Sequence, residues 1–224
     1  MALSEAESQE RISTYYTALM DQVVVRLEAM VPHLEEVRAN PAHPNNWQNA
    51  ELCYLQIRKI CEYTALAVLM AHDLYAENPV ESLGKKWHAA DIFKQILKLN
   101  PHAFPAATVV HIDKNGPGQH HVEATKEFLG PEDLAEMYGL CGDRLHVGSI
   151  KKLIESRIPP FDLGEIVLWR NRLVQALNTH LVMLPHIGSV LLVTLANAEG
   201  NASCVFAKAD GPFAIDGDPM VFGL

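Results

Sequence analysis

A chain of 224 residues, 49% hydrophobic and 20% charged, has the make-up of an ordinary globular protein and is long enough to bury a core without disulfide or metal staples. Its net charge of −9 argues against a broad electrostatic grip on nucleic acid, which needs clustered Lys and Arg. Its eleven histidines should make that charge unusually sensitive to pH near neutrality.

The cysteines Cys53, Cys61, Cys141 and Cys204 form no C-x-x-C pair and no zinc-type array. Cys53 and Cys61 share one expected helix, about 12 Å apart along its axis, too far to bridge. Four reduced thiols point to a cytoplasmic protein. The acidic start MALSEAESQERIS lacks the basic and apolar regions of a signal peptide. The purest apolar run, Ala65–Ala71, is too short to span a bilayer, so no membrane attachment is expected.

In chain order, Ser4 and Glu7 form a capping box. Apolar residues at Ile12, Tyr16, Leu19, Val23, Leu27, Met30, Leu34 and Val37 then mark an amphipathic helix that Pro32 should kink or divide. Arg38–Asn46 is a Pro- and Asn-rich break. A long helix follows, capped by Asn46 or Asn49 and running to Asp73. Its second half is apolar or small on every side, the mark of a central helix. Ser82 can cap a third helix, with Trp87, Ala90, Ile96 and Leu97 facing the core and Phe93 beside them. A hairpin is expected over 107–125. Gly130-Pro131 starts a short helix reaching Tyr138, and Gly139, Gly142 and Gly148 read as a loosened connection. Further helices are expected over Ser149–Arg157 and from Asp162 to about His180, the second opened by an Asp162/Glu165 capping box. Ser189–Leu195 and Ala202–Ala209 read as strands around a turn, followed by coil.

The expected fold is mainly α, a helical bundle of about five to seven helices over residues 1–188. The C-terminal β-hairpin and coil tail of 189–224 pack on it in the same domain. Its apolar strands need a cover, either the bundle or another chain, which allows a homodimer.

Four constellations are candidates for chemistry. Arg58 and Glu62 share a face of the long helix, with Glu51 one heptad earlier and His72 near the same stripe. They could form a surface pair, a buried link between helices, or a ligand pocket of Arg58, Glu62 and His72. The run Tyr138–Ser149 carries Cys141, Asp143, Arg144 and His146 among glycines. His111 could meet His120 or His121 across the hairpin, although two imidazoles need a third ligand to hold a metal. Trp169, Arg170, Asn171, Arg172 and His180 form a basic turn beside an aromatic. There is no Walker A loop, no dinucleotide-binding G-x-G-x-x-G and no G-x-S-x-G elbow, and no cofactor is expected.

The run IRKICEYTALAVLMAHDLY with Arg58-x-x-x-Glu62, the polar helix KKWHAADIFKQIL, and Tyr138 with Cys141 and Leu145-His146 together resemble helical-bundle proteins of the HEPN group in bacteria. The resemblance covers roughly residues 50–155. It implies a helical bundle and, for the nuclease members, a ribonuclease of phage defence or toxin systems. Those members carry an Arg followed by a His after about four to six residues. Formal matches are Arg26 to His33, which spans Pro32, and Arg38 to His43, in the proline-rich break. At the late position stand Arg144 and His146, with Leu145 between them, as candidate catalytic residues. The leading expectation is an accessory or regulatory protein that binds a protein or small molecule without catalysis. The alternatives are the ribonuclease and a metal-dependent enzyme using His111, His120 and His121.

Overall fold

The computed structural model describes residues 4–73, 89–99, 103–112, 120–124, 129–146, 161–184, 188–208, 213–215 and 218–220. The expected capping box opens α1 (Glu5–Ala29): Ser4 Oγ accepts the Glu7 N–H, and the Glu7 carboxylate accepts the Ser4 N–H at 2.8 Å. Proline has no N–H to give to the preceding turn, so Pro32 ends this helix and stands in the first turn of a second, α2 (Val31–Ala39). The long helix α3 (Asn46–Asp73) lies at the centre, packed against α1, α2, α4 (Ala89–Leu99), α5 (Pro131–Leu145) and α6 (Leu163–Leu177). Its second half is buried almost all round, through Thr64, Ala65, Ala67, Val68, Leu69 and Ala71. Thr64 satisfies its hydroxyl inside the helix by donating to the Ile60 carbonyl.

The expected helices do not map one to one onto these elements. The first is two helices. The segment Ser149–Arg157 lies outside the described residues, as do Ser82 and Trp87. No helix among the described residues is long and apolar enough to cross a membrane.

The two expected hairpins are not separate. Strands β1 (Ala106–Ile112), β2 (His120–Ala124), β3 (Thr179–Leu184), β4 (Ser189–Thr194) and β5 (Ser203–Lys208) form one antiparallel sheet in the order β2-β1-β3-β4-β5. The joining strand β3 follows directly after α6, where the sequence pattern predicts helix on to His180. Its residues His180–Leu184 are all buried, which is why they read as a continuous apolar run without alternation. Val182, Leu184, Leu191 and Val193 pack into the helical core, so the bundle covers these strands. The last segment, expected as coil, carries a short pair, β6 (Phe213–Ile215) with β7 (Asp218–Met220). Between β4 and β5, Asn197 holds a tight turn. Its carboxamide oxygen accepts the N–H groups of Glu199 and Asn201, and Gly200 adopts the left-handed conformation (φ 81°) that favours glycine.

Sheet and helices are joined by a buried polar contact. Tyr16 on α1 and His180 on β3 are both fully buried, with Tyr16 Oη 2.9 Å from His180 Nε2. His180 Nδ1 lies 2.8 Å from the Leu177 carbonyl, which can only accept. Nδ1 therefore carries the proton, Nε2 is the acceptor, and Tyr16 donates. Asp21, one turn further along α1, accepts the Ala202 N–H at 2.7 Å beside β5.

Burial pushes the His180 imidazole from the ordinary 6.5 down to about 4. Between those values the unfolded chain binds a proton that the folded chain refuses, so His180 favours folding above pH 6.5 and loses that contribution as pH falls toward 4. The slope reaches at most ~1.4 kcal/mol per pH unit. Urea unfolding between neutral and mildly acidic pH should show this loss. The slope should be shallower in the Tyr16→Phe/His180→Phe variant, which has no imidazole to protonate.

Candidate functional site

Arg58 and Glu62 face α5. Arg58 Nη2 donates to Tyr138 Oη at 2.7 Å, and Nη1 donates to the Tyr138 carbonyl at 3.3 Å. The guanidinium carbon lies 4.0 Å from the Tyr138 ring centroid, so the cation also meets the ring's negative face. Arg58 Nε is 3.6 Å from Glu62 Oε1, while Glu62 Oε2 holds Lys59 Nζ at 2.7 Å. Side-chain exposures of 22% for Arg58 and 15% for Glu62 mark a link between helices, the second of the three readings open to this pair.

That link explains Gly142. A glycine within a helix costs about 1 kcal/mol relative to alanine. Here a Cβ at position 142 would lie 2.6 Å from Arg58 Nη1. Gly142 makes room for the guanidinium rather than loosening the chain. Gly139 also lies inside α5, which continues past Tyr138 to Leu145. Gly148 lies outside the described residues.

A second polar knot joins α3 to α6. Tyr54 Oη donates to Glu165 Oε2 at 2.8 Å and accepts the Asp162 N–H at 3.3 Å. Arg144, in the last turn of α5, reaches the same Glu165 oxygen at 3.4 Å. The expected capping box is therefore half formed. Asp162 Oδ1 accepts the Glu165 N–H at 3.1 Å, but Tyr54 takes the place the Glu165 carboxylate would have had at the Asp162 N–H. Tyr54 also meets Trp169 edge-on, with centroids 6.1 Å apart. Tyr54 was missed in the sequence. Its one signal is position: it stands one turn before Arg58, and a buried tyrosine hydroxyl must find a partner.

The other candidates disperse. His146 is the exposed C-cap of α5, its N–H bonded to the Gly142 carbonyl at 3.0 Å, whereas Arg144 turns inward to Glu165. Cys141 is buried, and burial pushes its thiol up to about 12 despite nearby Arg58, the reverse of an activated nucleophile. Burial also raises Cys53, to about 11, and Cys61. His72 stands about 21 Å along the axis from Arg58 and donates Nδ1–H to the Val68 carbonyl, so it joins no cluster with Arg58 and Glu62. Arg26 bonds Gln56 and His33 bonds Asn49, two turns apart on α3. In the basic turn, Trp169 is buried, Arg170 donates to the Leu27 carbonyl, and Arg172 pairs with Asp133 at 2.9 Å. In the hairpin, the register sets His111 opposite His121 and Ile112 opposite His120. Among the described residues, no group of three or more His, Cys, Asp or Glu could hold a metal.

With Arg58 drawn toward α5, the outer side of α3 is left with an apolar stripe. Leu52 and Leu55 are 40% and 38% exposed, between exposed Glu51 and the partly exposed Lys59. Trp47, in the first turn, is 50% exposed. Residues 51, 55 and 59 follow at one-turn intervals, so the two leucines sit inside a charged frame with the acid nearer the N-terminus.

Comparison with protein-family models, curated proteins and solved structures finds no match to this chain.

The latch is tested by a double-mutant cycle in urea unfolding. Arg58→Met should cost about 2 kcal/mol by removing charge-assisted bonds to Tyr138. Gly142→Ala should destabilise the wild type by displacing the guanidinium. In the Arg58→Met background the same change should be neutral or stabilising by up to ~1 kcal/mol, because only the helix preference for alanine remains. Equal costs in both backgrounds would show that Gly142 does not serve Arg58.

Proposed function

We propose that this chain is a non-catalytic binding module, an accessory or regulatory protein of the cytoplasm, and that its ligand is a protein docked on the outer stripe of α3. The observation that carries the reading is the exposure of Leu52 and Leu55 on a helix whose other large apolar side chains are mostly inside the core. Neighbouring exposed leucines on rigid helix offer apolar area at little ordering cost, and the charges beside them can set orientation. The inner polar groups support this reading from the other side. Arg58 and Glu62 serve the α3–α5 link, and Arg144 pairs with the carboxylate that binds Tyr54. A second copy of the chain is one partner the stripe could take, giving a homodimer.

Two measurements test the reading. The tagged chain, expressed in its source cells, should retain a stoichiometric protein partner. Leu52→Glu/Leu55→Glu should lower its recovery by about tenfold or more at unchanged melting temperature, as expected for removal of an apolar anchor. Purified protein should leave total RNA intact. RNA cleavage that disappears in both Arg144→Ala and His146→Ala, each shown to fold, would overturn the binding reading in favour of a ribonuclease of the HEPN kind.

A further inference from the structure

We propose that the α3 stripe is self-complementary, and that its occupant is a second copy of this chain, packed antiparallel α3 to α3 about a two-fold axis at Leu55. This rests on the reading of the stripe as a docking face.

The register of the stripe is self-complementary. In an antiparallel pair related by a two-fold axis, positions equally far on either side of the axis face each other. With Leu55 on the axis, the two Leu55 side chains meet. Glu51, four residues before, faces Lys59, four residues after, and symmetry repeats the opposite-charge contact. Leu52, 40% exposed and about 60° round the helix from Leu55, flanks the Leu55 contact. Leucine therefore meets leucine at the axis, and acid meets base on either side of it.

Other centres fail. With the axis one turn earlier, Glu51 would face its own copy. One turn later, Lys59 would. Either puts like charges together at the symmetry axis, where repulsion cannot be relieved by sliding. Leu55 is the centre that places the acid against the base.

The rearrangement required is small. Lys59 now reaches Glu62 along its own helix at 2.7 Å. In the dimer it swings to the partner's Glu51, and Glu62 keeps Arg58. A single pair of helices buries less than the ~1,200–2,000 Å² of a standard stable interface. The self-association is accordingly weak, in about the micromolar range. The net charge of −9 on each chain works in the same direction.

Sedimentation equilibrium of the full chain from about 1 to 500 μM, spanning a micromolar Kd, tests this. Wild type should dimerise reversibly. Glu51→Lys alone and Lys59→Glu alone should each weaken the dimer by about tenfold, since each creates two like-charge contacts. The exchanged variant Glu51→Lys/Lys59→Glu should return to within about threefold of wild type, because the pairs are restored in reverse. Circular dichroism checks that each variant folds, and rescue by the exchange cannot come from a folding defect. A wild-type chain that keeps the monomer mass of 24.8 kDa throughout overturns the proposal. So does a dimer that neither single reversal weakens, or one that the exchange fails to rescue. None of these results bears on a different protein captured through Leu52 and Leu55, so failure of self-docking and failure of the docking face remain distinguishable.

Discussion

The guanidinium of Arg58, held over Tyr138 and seated on Gly142, organises the centre of the molecule. It is a cation at the contact between α3 and α5, and such a group is tolerated only when its donors and charge are satisfied. Tyr138 supplies a hydroxyl, a carbonyl and a ring face, and Glu62 supplies the counter-charge. The arrangement fixes the rotation of α3 about its axis. Once Arg58 points to α5, Tyr54 one turn earlier is carried to α6, and Leu52, Leu55 and Lys59 are carried outward. The surface stripe follows from the inner latch.

The links among helices share a pattern. Tyr54 bonds the Glu165 carboxylate, Tyr138 accepts from Arg58, and Tyr16 donates to His180. In each case the ring fills core volume while the hydroxyl finds a polar partner on a distant element. This suits a chain whose helices belong to more than one layer. Apolar area supplies most of the driving force, and the hydroxyls set which helix face meets which. The cost is sensitivity at the α1–β3 contact, where a neutral imidazole is required and acid removes it.

The local features of the sequence were legible because their causes are local. The Ser4–Glu7 box, the break at Pro32, the apolar stripe of α1, the span of α3 and the strands around the turn at Asn197 depend on capping, ring sterics and periodicity. Glu165 shows where such reasoning stops. Its spacing from Asp162 fits a capping box, yet a tyrosine 111 residues away claims its carboxylate. His180 shows the same limit. The chain turns from helix to strand two residues before it, and an apolar run buried on both faces carries no period to announce the change.

The sequence by itself determined that the protein is mainly helical, that a long helix is its centre, and that Arg58 and Glu62 share a face. These follow from spacing along one chain. Only the tertiary structure decided that the two hairpins are one sheet, that Gly142 is a seat rather than a hinge, and that Arg144 and His146 point to different places. Each depends on a partner far away in sequence: β3 between the hairpins, Arg58 above Gly142, and Glu165 beside Arg144. The physical reason is the same throughout. Periodicity says which face of an element is apolar, but a polar side chain takes its meaning from the atom it meets.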